Sequence, residues 1–295
     1  MKSRIKKPDD SAGSAPGKIS FMSKDETVCP VCGAEFRREE LLSGSGRLIA
    51  GVLTDELHRC YEPSVKYGDV YPLAYQATVC PECWYASMDR DFAAINEDGK
   101  EKAFDDRDQR IAETELIFPQ IDFTLNRDLV LGAASQYLVL RCYDYFTPDF
   151  SPTVKQAMAA IRTGWLLDEM NVKFPDQHYD WLAMLFKKKA MFCYNEAVRL
   201  ETTGKETLSG ITNFGPDTDK NYMYEGALYL SALLRFKYAH LGNSARRNPL
   251  LQESKRTIAK IFGVGKSSKA KPGPLLEHAK NLYESMSKEL NETDD

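Results

Sequence analysis

Four of the seven cysteines lie in two copies of the same motif, Cys-Pro-x-Cys. A tight turn at such a motif places both sulfurs on one side of the backbone, so each copy supplies half of a tetrahedral site. Two such turns together form a closed shell of four thiolates, which is the donor set that a structural zinc ion prefers. The sequence therefore predicts a zinc site whose ligands are Cys29, Cys32, Cys80 and Cys83.

Paired cysteines have other uses. No secretory signal is found near the start of the sequence, so we expect a cytoplasmic protein in a reducing compartment, where disulfides are rare. A redox Cys-x-x-Cys motif is expected once, within a βαβ unit, and neither pair lies in such a pattern. Iron bound by four thiolates has the same sequence signature, and zinc is favoured only because such iron sites are rarer. A closed shell leaves no open coordination position, so the metal is predicted to stabilise the fold and not to catalyse.

Two further residues with metal-ligating side chains, His58 and Cys60, lie between the cysteine pairs. Either can replace one member of the quartet or contribute to a second, partial site. We expect instead that Cys60 is a small buried apolar residue and that His58 lies on the surface or beside the ligands. A metal-dependent enzyme that uses one of them beside an open zinc position stays as a remote alternative.

Several short stretches carry a family resemblance: residues 28–36 and 79–86 around the two pairs, Arg59-Cys60-Tyr61, Pro72 to Tyr75, and Asp91-Phe92. With these stretches the chain resembles a bacterial family of uncharacterised proteins, domain of unknown function 2225, over roughly residues 20 to 245. The resemblance implies a cysteine-rich head joined to a helical body similar to tetratricopeptide repeats, and it implies no known activity. Trp84 departs from the family pattern, which usually has Gly after the second cysteine of the pair.

The overall composition is that of a globular protein. The chain has 295 residues, of which 43% are hydrophobic and 28% are charged, and its formal net charge is -4. No run approaches the roughly 18 consecutive apolar residues of a membrane-spanning helix, so we expect no membrane partner. The acidic balance argues against a protein whose whole surface binds nucleic acid, although local basic patches are compatible with it.

We predict an α+β protein, mainly α, with a small zinc-ribbon-like β head and a tetratricopeptide-like body of helical hairpins. In the head, the cysteine turns are expected at the tips of two hairpins, and a half-buried strand is expected within residues 71–79. The predicted segments are a disordered basic tail (1–18), the four-cysteine head (19–88), a charged connector (89–126), the helical body (127–262), a linker (263–273) and a C-terminal helix and tail (274–295).

The helical body is predicted from apolar residues that recur with a period of 3.6. They indicate helices over about residues 127–146, from Pro152, over 179–200 and over 222–241, followed by an amphipathic basic helix over 249–262. Ser151 is expected to cap the second of these helices, with Pro152 in its first position. Residues 217–221 are expected to form a polar turn that caps the fourth. Strict 34-residue tetratricopeptide spacing is absent, so the residues themselves support only stacked helical hairpins.

One concentrated basic stretch runs from residue 246 to residue 271, with eight Lys or Arg and a single acidic residue, Glu253. Its charge makes it a possible partner patch. Together with the basic tail, it is the basis of an alternative function, a nucleic-acid-binding zinc-ribbon protein. The residues of the predicted patch within the body are Arg246, Arg247, Lys255, Arg256 and Lys260.

The sequence carries no motif that assembles a catalytic site. No His-Glu-x-x-His helix, Gly-x-Ser-x-Gly elbow, complete P-loop or plausible Cys–His nucleophile pair is found. We therefore expect a non-enzymatic protein, stabilised by zinc, that acts as a scaffold for an unidentified protein partner. Nucleic acid is the less favoured partner.

Overall fold

The computed structural model describes residues 17–209, 211, 213–263 and 273–292. Within this part of the chain, six short strands come first and eight α-helices follow the last of them. The predicted class, α+β with mainly helical content, is confirmed. Almost all of the predicted tail and linker, and the last three residues, lie outside the described residues.

The strands form three separate antiparallel pairs. The first cysteine pair lies in the turn between the first two strands, and the second pair lies in the turn between the last two. Each cysteine turn is therefore at the tip of a hairpin, as the sequence predicts. The paired strands are β1 (Ser20–Val28) with β2 (Glu35–Leu41), β3 (Ile49–Leu53) with β4 (Arg59–Glu62), and β5 (Thr78–Val79) with β6 (Ala86–Ser87).

The half-buried strand predicted within residues 71–79 is correct only at its end, where β5 leads into the second cysteine turn and is buried on both faces. Pro72–Tyr75 is a 3-10 helix, and only β5 is extended. Proline favours the start of a helical turn, and all four residues of this turn are buried. The turn packs closely on the helix that contains Gly132, where an added Cβ would lie 2.5 Å from the Cβ of Ala74. The alternation of polar and apolar residues therefore did not predict the conformation of Pro72–Tyr75, because all four residues of this segment are buried.

The helices follow one another in space as they do in sequence, because each packs on the next one along the chain. This arrangement confirms the predicted helical body, while its likeness to tetratricopeptide repeats stays a prediction. The helices are α1 (Glu97–Asp105), α2 (Arg107–Ile117), α3 (Leu129–Cys142), α4 (Pro152–Lys173), α5 (Tyr179–Thr202), α6 (Met223–Tyr238), α7 (Ser244–Gly263) and α8 (Gly273–Glu292).

The start of α4 is hydrogen-bonded to the long loop that follows α5. Pro152 is the first helical residue, as predicted, but Ser151 makes no capping hydrogen bond. Its backbone has a φ of 51°, and its hydroxyl donates to the carbonyl of Thr207. The buried carboxylate of Glu206 instead accepts from the N–H of Thr153 at 2.9 Å and from its hydroxyl at 2.7 Å. A distant acidic side chain therefore caps this helix, which also suits the positive end of the helix dipole.

Head and body share one hydrophobic core, which runs from the cysteine region to α8. The loop between β3 and β4 also reaches the body through polar contacts. The buried carboxylate of Glu56 accepts from Trp165 Nε1 at 2.7 Å, from Lys237 Nζ at 2.9 Å and from the Tyr238 hydroxyl at 3.2 Å. No helix among the described residues has the length and apolar character needed to cross a membrane.

Candidate metal centre

The four predicted cysteines converge on one point. Their sulfurs all lie within 4.8 Å of one another, and two of the S–S distances, Cys29 to Cys83 and Cys32 to Cys80, are 3.6 Å. A tetrahedron of sulfurs about 2.3 Å from a central zinc ion has edges of about 3.8 Å. In the described part of the chain, no other group of three or more His, Cys, Asp or Glu ligand atoms is this compact. The donor set and its spacing thus fit a metal ion.

The two turns have the same backbone hydrogen bonds. In each, the N–H of the first cysteine donates to the carbonyl five residues later, at 2.8 Å in the first turn and 2.9 Å in the second. The carbonyl of that cysteine accepts from the N–H four residues later, at 3.0 Å in both turns. The duplicated sequence motif therefore folds as a duplicated ligand loop.

The residue after each second cysteine has a left-handed backbone. It is Gly33 in the first turn, with a φ of 77°, and Trp84 in the second, with a φ of 56°. A side chain in this conformation costs roughly 1–2 kcal/mol. The Trp84 ring is buried and makes an edge-to-face contact with the Phe123 ring, with the two ring centroids 5.2 Å apart. Burial of the Trp84 ring offsets the cost of the left-handed backbone. The departure from the family's Gly leaves the turn geometry intact.

The crowding of four thiols has an electrostatic consequence. Hydrogen bonds from Cys80 and Cys83 lower the pKa of Cys29 to about 4, while the hydrogen bond with Cys29 and that with Cys80 raise the pKa of Cys83. The first thiolate is therefore stabilised by its neighbours, and each further thiolate is opposed by the charge already present. A divalent cation at the centre removes this opposition, because it attracts all four sulfurs.

These features accompany a clear family relationship. The family model described as "Uncharacterized protein conserved in bacteria (DUF2225)" matches residues 22–286. The chain belongs to this family. An "Uncharacterized protein" of Borreliella burgdorferi is 38% identical over 273 residues, which span 92% of this chain and 98% of the relative. No solved structure matches the chain.

In this DUF2225 protein, a buried arginine supports the second ligand loop. Arg110 lies in α2, and its side chain is fully buried. Its guanidinium donates to the carbonyl of Cys83 at 2.7 Å, to the carbonyl of Ala103 at 2.8 Å and to the Tyr145 hydroxyl at 3.1 Å. Sequence reasoning missed this residue, because one arginine within a charged connector resembles a residue on a solvated helix face.

His58 and Cys60 do not belong to the four-sulfur group. The His58 ring stacks on Trp165 with centroids 4.3 Å apart, and its Nδ1 is 2.6 Å from a carboxylate oxygen of Asp217. Cys60 lies in β4 and is partly exposed, not buried as expected, and the partial burial of its thiol raises its pKa. The structure therefore gives His58 a carboxylate partner outside the four-sulfur group.

Asp217 has a different role from Asn221 within the polar turn predicted to cap α6. Burial alone would raise the pKa of this carboxyl, but hydrogen bonds from His58 and from the N–H of Arg59 outweigh burial and lower it. The N–H of Met223, the first residue of α6, donates to the Asn221 side chain at 2.9 Å instead. Asp217 thus joins the loop after α5 to β4, a contact between residues 159 positions apart that no local pattern reveals.

The five residues of the predicted basic patch have different environments. Arg247 is buried, where it pairs with Glu289 of α8 and donates to the carbonyls of Ala239 at 2.8 Å and Phe236 at 2.7 Å. It therefore fastens α7 to its neighbours. Lys255 is half-buried over the Tyr283 ring, at 5.0 Å from its centroid. The exposed members are Arg246, Arg256 and Lys260.

Proposed function

We propose that this protein is a non-enzymatic interaction protein whose head is held together by one structural zinc ion. The observation that carries the proposal is the closed group of four cysteine sulfurs at zinc-ligand spacing. Four protein thiolates complete a tetrahedral shell and leave no position for a substrate or an activated water. The ion therefore acts through stability.

The ligands come from two hairpins that make no strand pairs with each other. Cys29 and Cys32 follow β1, and Cys80 and Cys83 follow β5. Zinc would supply a positive charge that draws thiolates of both loops to one centre. Two loops that are 48 to 54 residues apart would thereby be held at a fixed separation. This fastens the peripheral β1–β2 hairpin to a hairpin that is already part of the core.

A protein partner is supported by an apolar stripe on the outer face of α5. Trp181 and Phe192 are 57% and 66% exposed, and Leu185 lies between them at 38%. The exposed Lys189 lies on the same face, because these positions are spaced three or four residues apart. Large apolar side chains that share an exposed face mark an interaction site. The partner that fits is another protein whose contact surface has apolar side chains flanked by carboxylates.

The zinc proposal is tested by elemental analysis of the purified protein and of the double variant Cys80→Ser, Cys83→Ser. We expect one zinc per chain in the parent protein and none in the variant, together with a loss of stability. Cys193→Ala is the matched control, because this cysteine is buried but lies outside the four-sulfur group. Absence of metal from the parent, or zinc retained by the double variant, would overturn the proposal, and iron in place of zinc would reassign the ion.

The partner proposal is tested by a photoreactive amino acid placed at Leu185 in living cells. The control position is Lys280 on α8, whose side chain is 71% exposed. A discrete adduct with a different protein is expected from Leu185 and not from Lys280, and it should be lost when Trp181 and Phe192 are changed to Ser. An adduct of two copies of this chain, or equal labelling at both positions, contradicts the proposal.

A further inference from the structure

One buried cation in the body has no ion-pair partner among the described residues. Arg162 of α4 is only 5% exposed. Its Nε donates to the carbonyl of Pro216, and this is the single hydrogen bond that its guanidinium makes within the described structure. A buried charge without a counter-ion is strongly destabilising, so its retention needs a reason.

Within the described residues, the two terminal nitrogens of Arg162 have no hydrogen-bond partner, and they are not among the side-chain atoms that are fully buried and unpaired. Arg162 lines a cavity of about 360 Å³ that lies between α4, the segment after β6 and the loop before α6. This volume is within the range of small-molecule sites. Part of the wall is apolar, formed by Met88, Met158 and Ile211, and the amides of Gln76 and Asn213 also line the cavity.

The carboxylates that line the same cavity are already engaged. Asp91 pairs with Lys155 and accepts from the Tyr143 hydroxyl at 2.6 Å. Asp89 accepts from the Thr78 hydroxyl at 2.6 Å and lies 3.2 Å from Arg38. Neither carboxylate makes an ion-pair contact with Arg162, although the charge of Asp89 acts on it from a distance.

Asp217 is the remaining acidic group that influences Arg162. Burial lowers the pKa of Arg162, and the charge of Asp217 acts in the opposite direction without an ion-pair contact. The oxygens of Asp217 accept instead from His58 and from the backbone N–H groups of Arg59 and Thr218. Arg162 therefore lines the cavity while its terminal nitrogens donate to no described residue.

We propose that this cavity binds a small organic carboxylate, whose carboxylate group is held by the terminal nitrogens of Arg162. A guanidinium presents a planar pair of N–H donors that matches a carboxylate, and the bond is strengthened by the charges of both groups. The charged lining is mixed, with Asp89 and Asp91 beside Arg90 and Lys155, and an inorganic phosphate would leave the apolar part of the wall uncovered. The apolar wall suits the hydrocarbon tail of such a ligand.

The experiment is a calorimetric titration of the full chain at constant ionic strength with three probes: hexanoate, its neutral analogue hexanamide, and inorganic phosphate. We expect one hexanoate per chain and no binding of hexanamide or phosphate. This comparison uses the unmodified protein, so it does not depend on whether a variant folds. Absence of hexanoate binding up to about 10 mM, equal binding of hexanamide, or tighter binding of phosphate would overturn the proposal.

The role of Arg162 in binding the carboxylate is tested by Arg162→Gln. The glutamine amide still offers a hydrogen-bond donor for the Pro216 carbonyl but lacks the positive charge of the guanidinium. Affinity for hexanoate should fall by at least about tenfold. In buffer without carboxylate, the variant should unfold at the same or a higher temperature than the parent, because a buried charge has been removed. The matched control is Arg247→Gln, a buried arginine that already has Glu289 as its partner. It should bind hexanoate as the parent does. Unchanged binding by Arg162→Gln would contradict the assignment.

Discussion

The two ligand loops have the same backbone geometry but different surroundings. The first lies at the tip of the β1–β2 hairpin, where Cys32 is partly exposed and a Cβ added to Gly33 would touch nothing within 4 Å. The second is enclosed: Cys80, Cys83 and Tyr85 are fully buried. Arg110 also donates to the Cys83 carbonyl from the neighbouring helix α2. One loop is therefore enclosed by the core, while the other has a buried Cys29 but a partly exposed Cys32 and would depend more on a bound metal.

This difference shows that identical ligand motifs can make unequal contributions to a metal site. The buried loop is shaped by packing and by hydrogen bonds that do not involve a metal. The exposed loop has fewer such contacts, so a bound metal would supply a larger share of its stability. The sequence alone presents the two loops as equivalent halves.

The largest effect should come from removal of the metal with a strong chelator under reducing conditions. Amide hydrogen exchange in β1 and β2 should accelerate by about 100-fold or more, because the hairpin loses its link through Cys29 and Cys32 and keeps only side-chain contacts such as that between Arg38 and Asp89. Exchange in β5 and β6 should change much less, and α8 serves as the internal control. Equal acceleration in both cysteine hairpins would show that the two loops depend on the metal to the same extent.

The next largest effect on stability is expected from substitution of Arg110, which donates to the Cys83 carbonyl of the buried loop. Arg110→Met leaves two backbone carbonyls and the Tyr145 hydroxyl without this donor, so we expect a loss of about 3–5 kcal/mol of unfolding free energy. The unfolding free energies of the parent and the variant are measured by urea denaturation. The control is Arg107→Met, since Arg107 makes one exposed hydrogen bond, at 2.8 Å, to the Glu82 carbonyl of the same loop. Its cost should be below about 1 kcal/mol, and similar costs for both variants would contradict the comparison.

A smaller loss is expected from Trp84→Gly. Removal of a buried large aromatic side chain costs about 3–5 kcal/mol, and relief of the left-handed backbone returns about 1–2 kcal/mol. The net loss should be roughly 1–4 kcal/mol, while metal content stays unchanged because the ligands keep their geometry. A variant more stable than the parent would mean that backbone strain outweighs the packing of this ring.

The smallest effect belongs to the equivalent position of the exposed loop. Gly33→Ala adds a methyl group in open space, so its cost arises only from the φ of 77° and should be about 1–2 kcal/mol. Gly33→Asn should cost less, since Asn tolerates this conformation better. Denaturation of both variants with metal bound tests this order, and a cost for Ala above that of Trp84→Gly would reverse the comparison.

Much of the fold was predictable because its signals are local. Turn chemistry and the spacing of the cysteines indicate the two hairpin tips, and apolar periodicity indicates the helices from α3 onward. The errors lie where distant residues decide the outcome. The segment from Pro72 to Tyr75 is helical because it is packed against α3, and α4 is capped by Glu206 and not by Ser151. A preference of about 1 kcal/mol for a local structure is readily exceeded by such contacts.

By itself, the sequence determined which four thiols come together as a candidate metal site and that a mainly helical body follows them, because motif spacing and helical period are properties of short segments. Only the tertiary structure decided that one ligand loop is buried against Arg110 and that His58 pairs with Asp217. It also decided that Arg162 faces a cavity without a counter-ion. These facts depend on burial and on contacts between residues far apart in the chain, and the energy of a charged group is set by those surroundings.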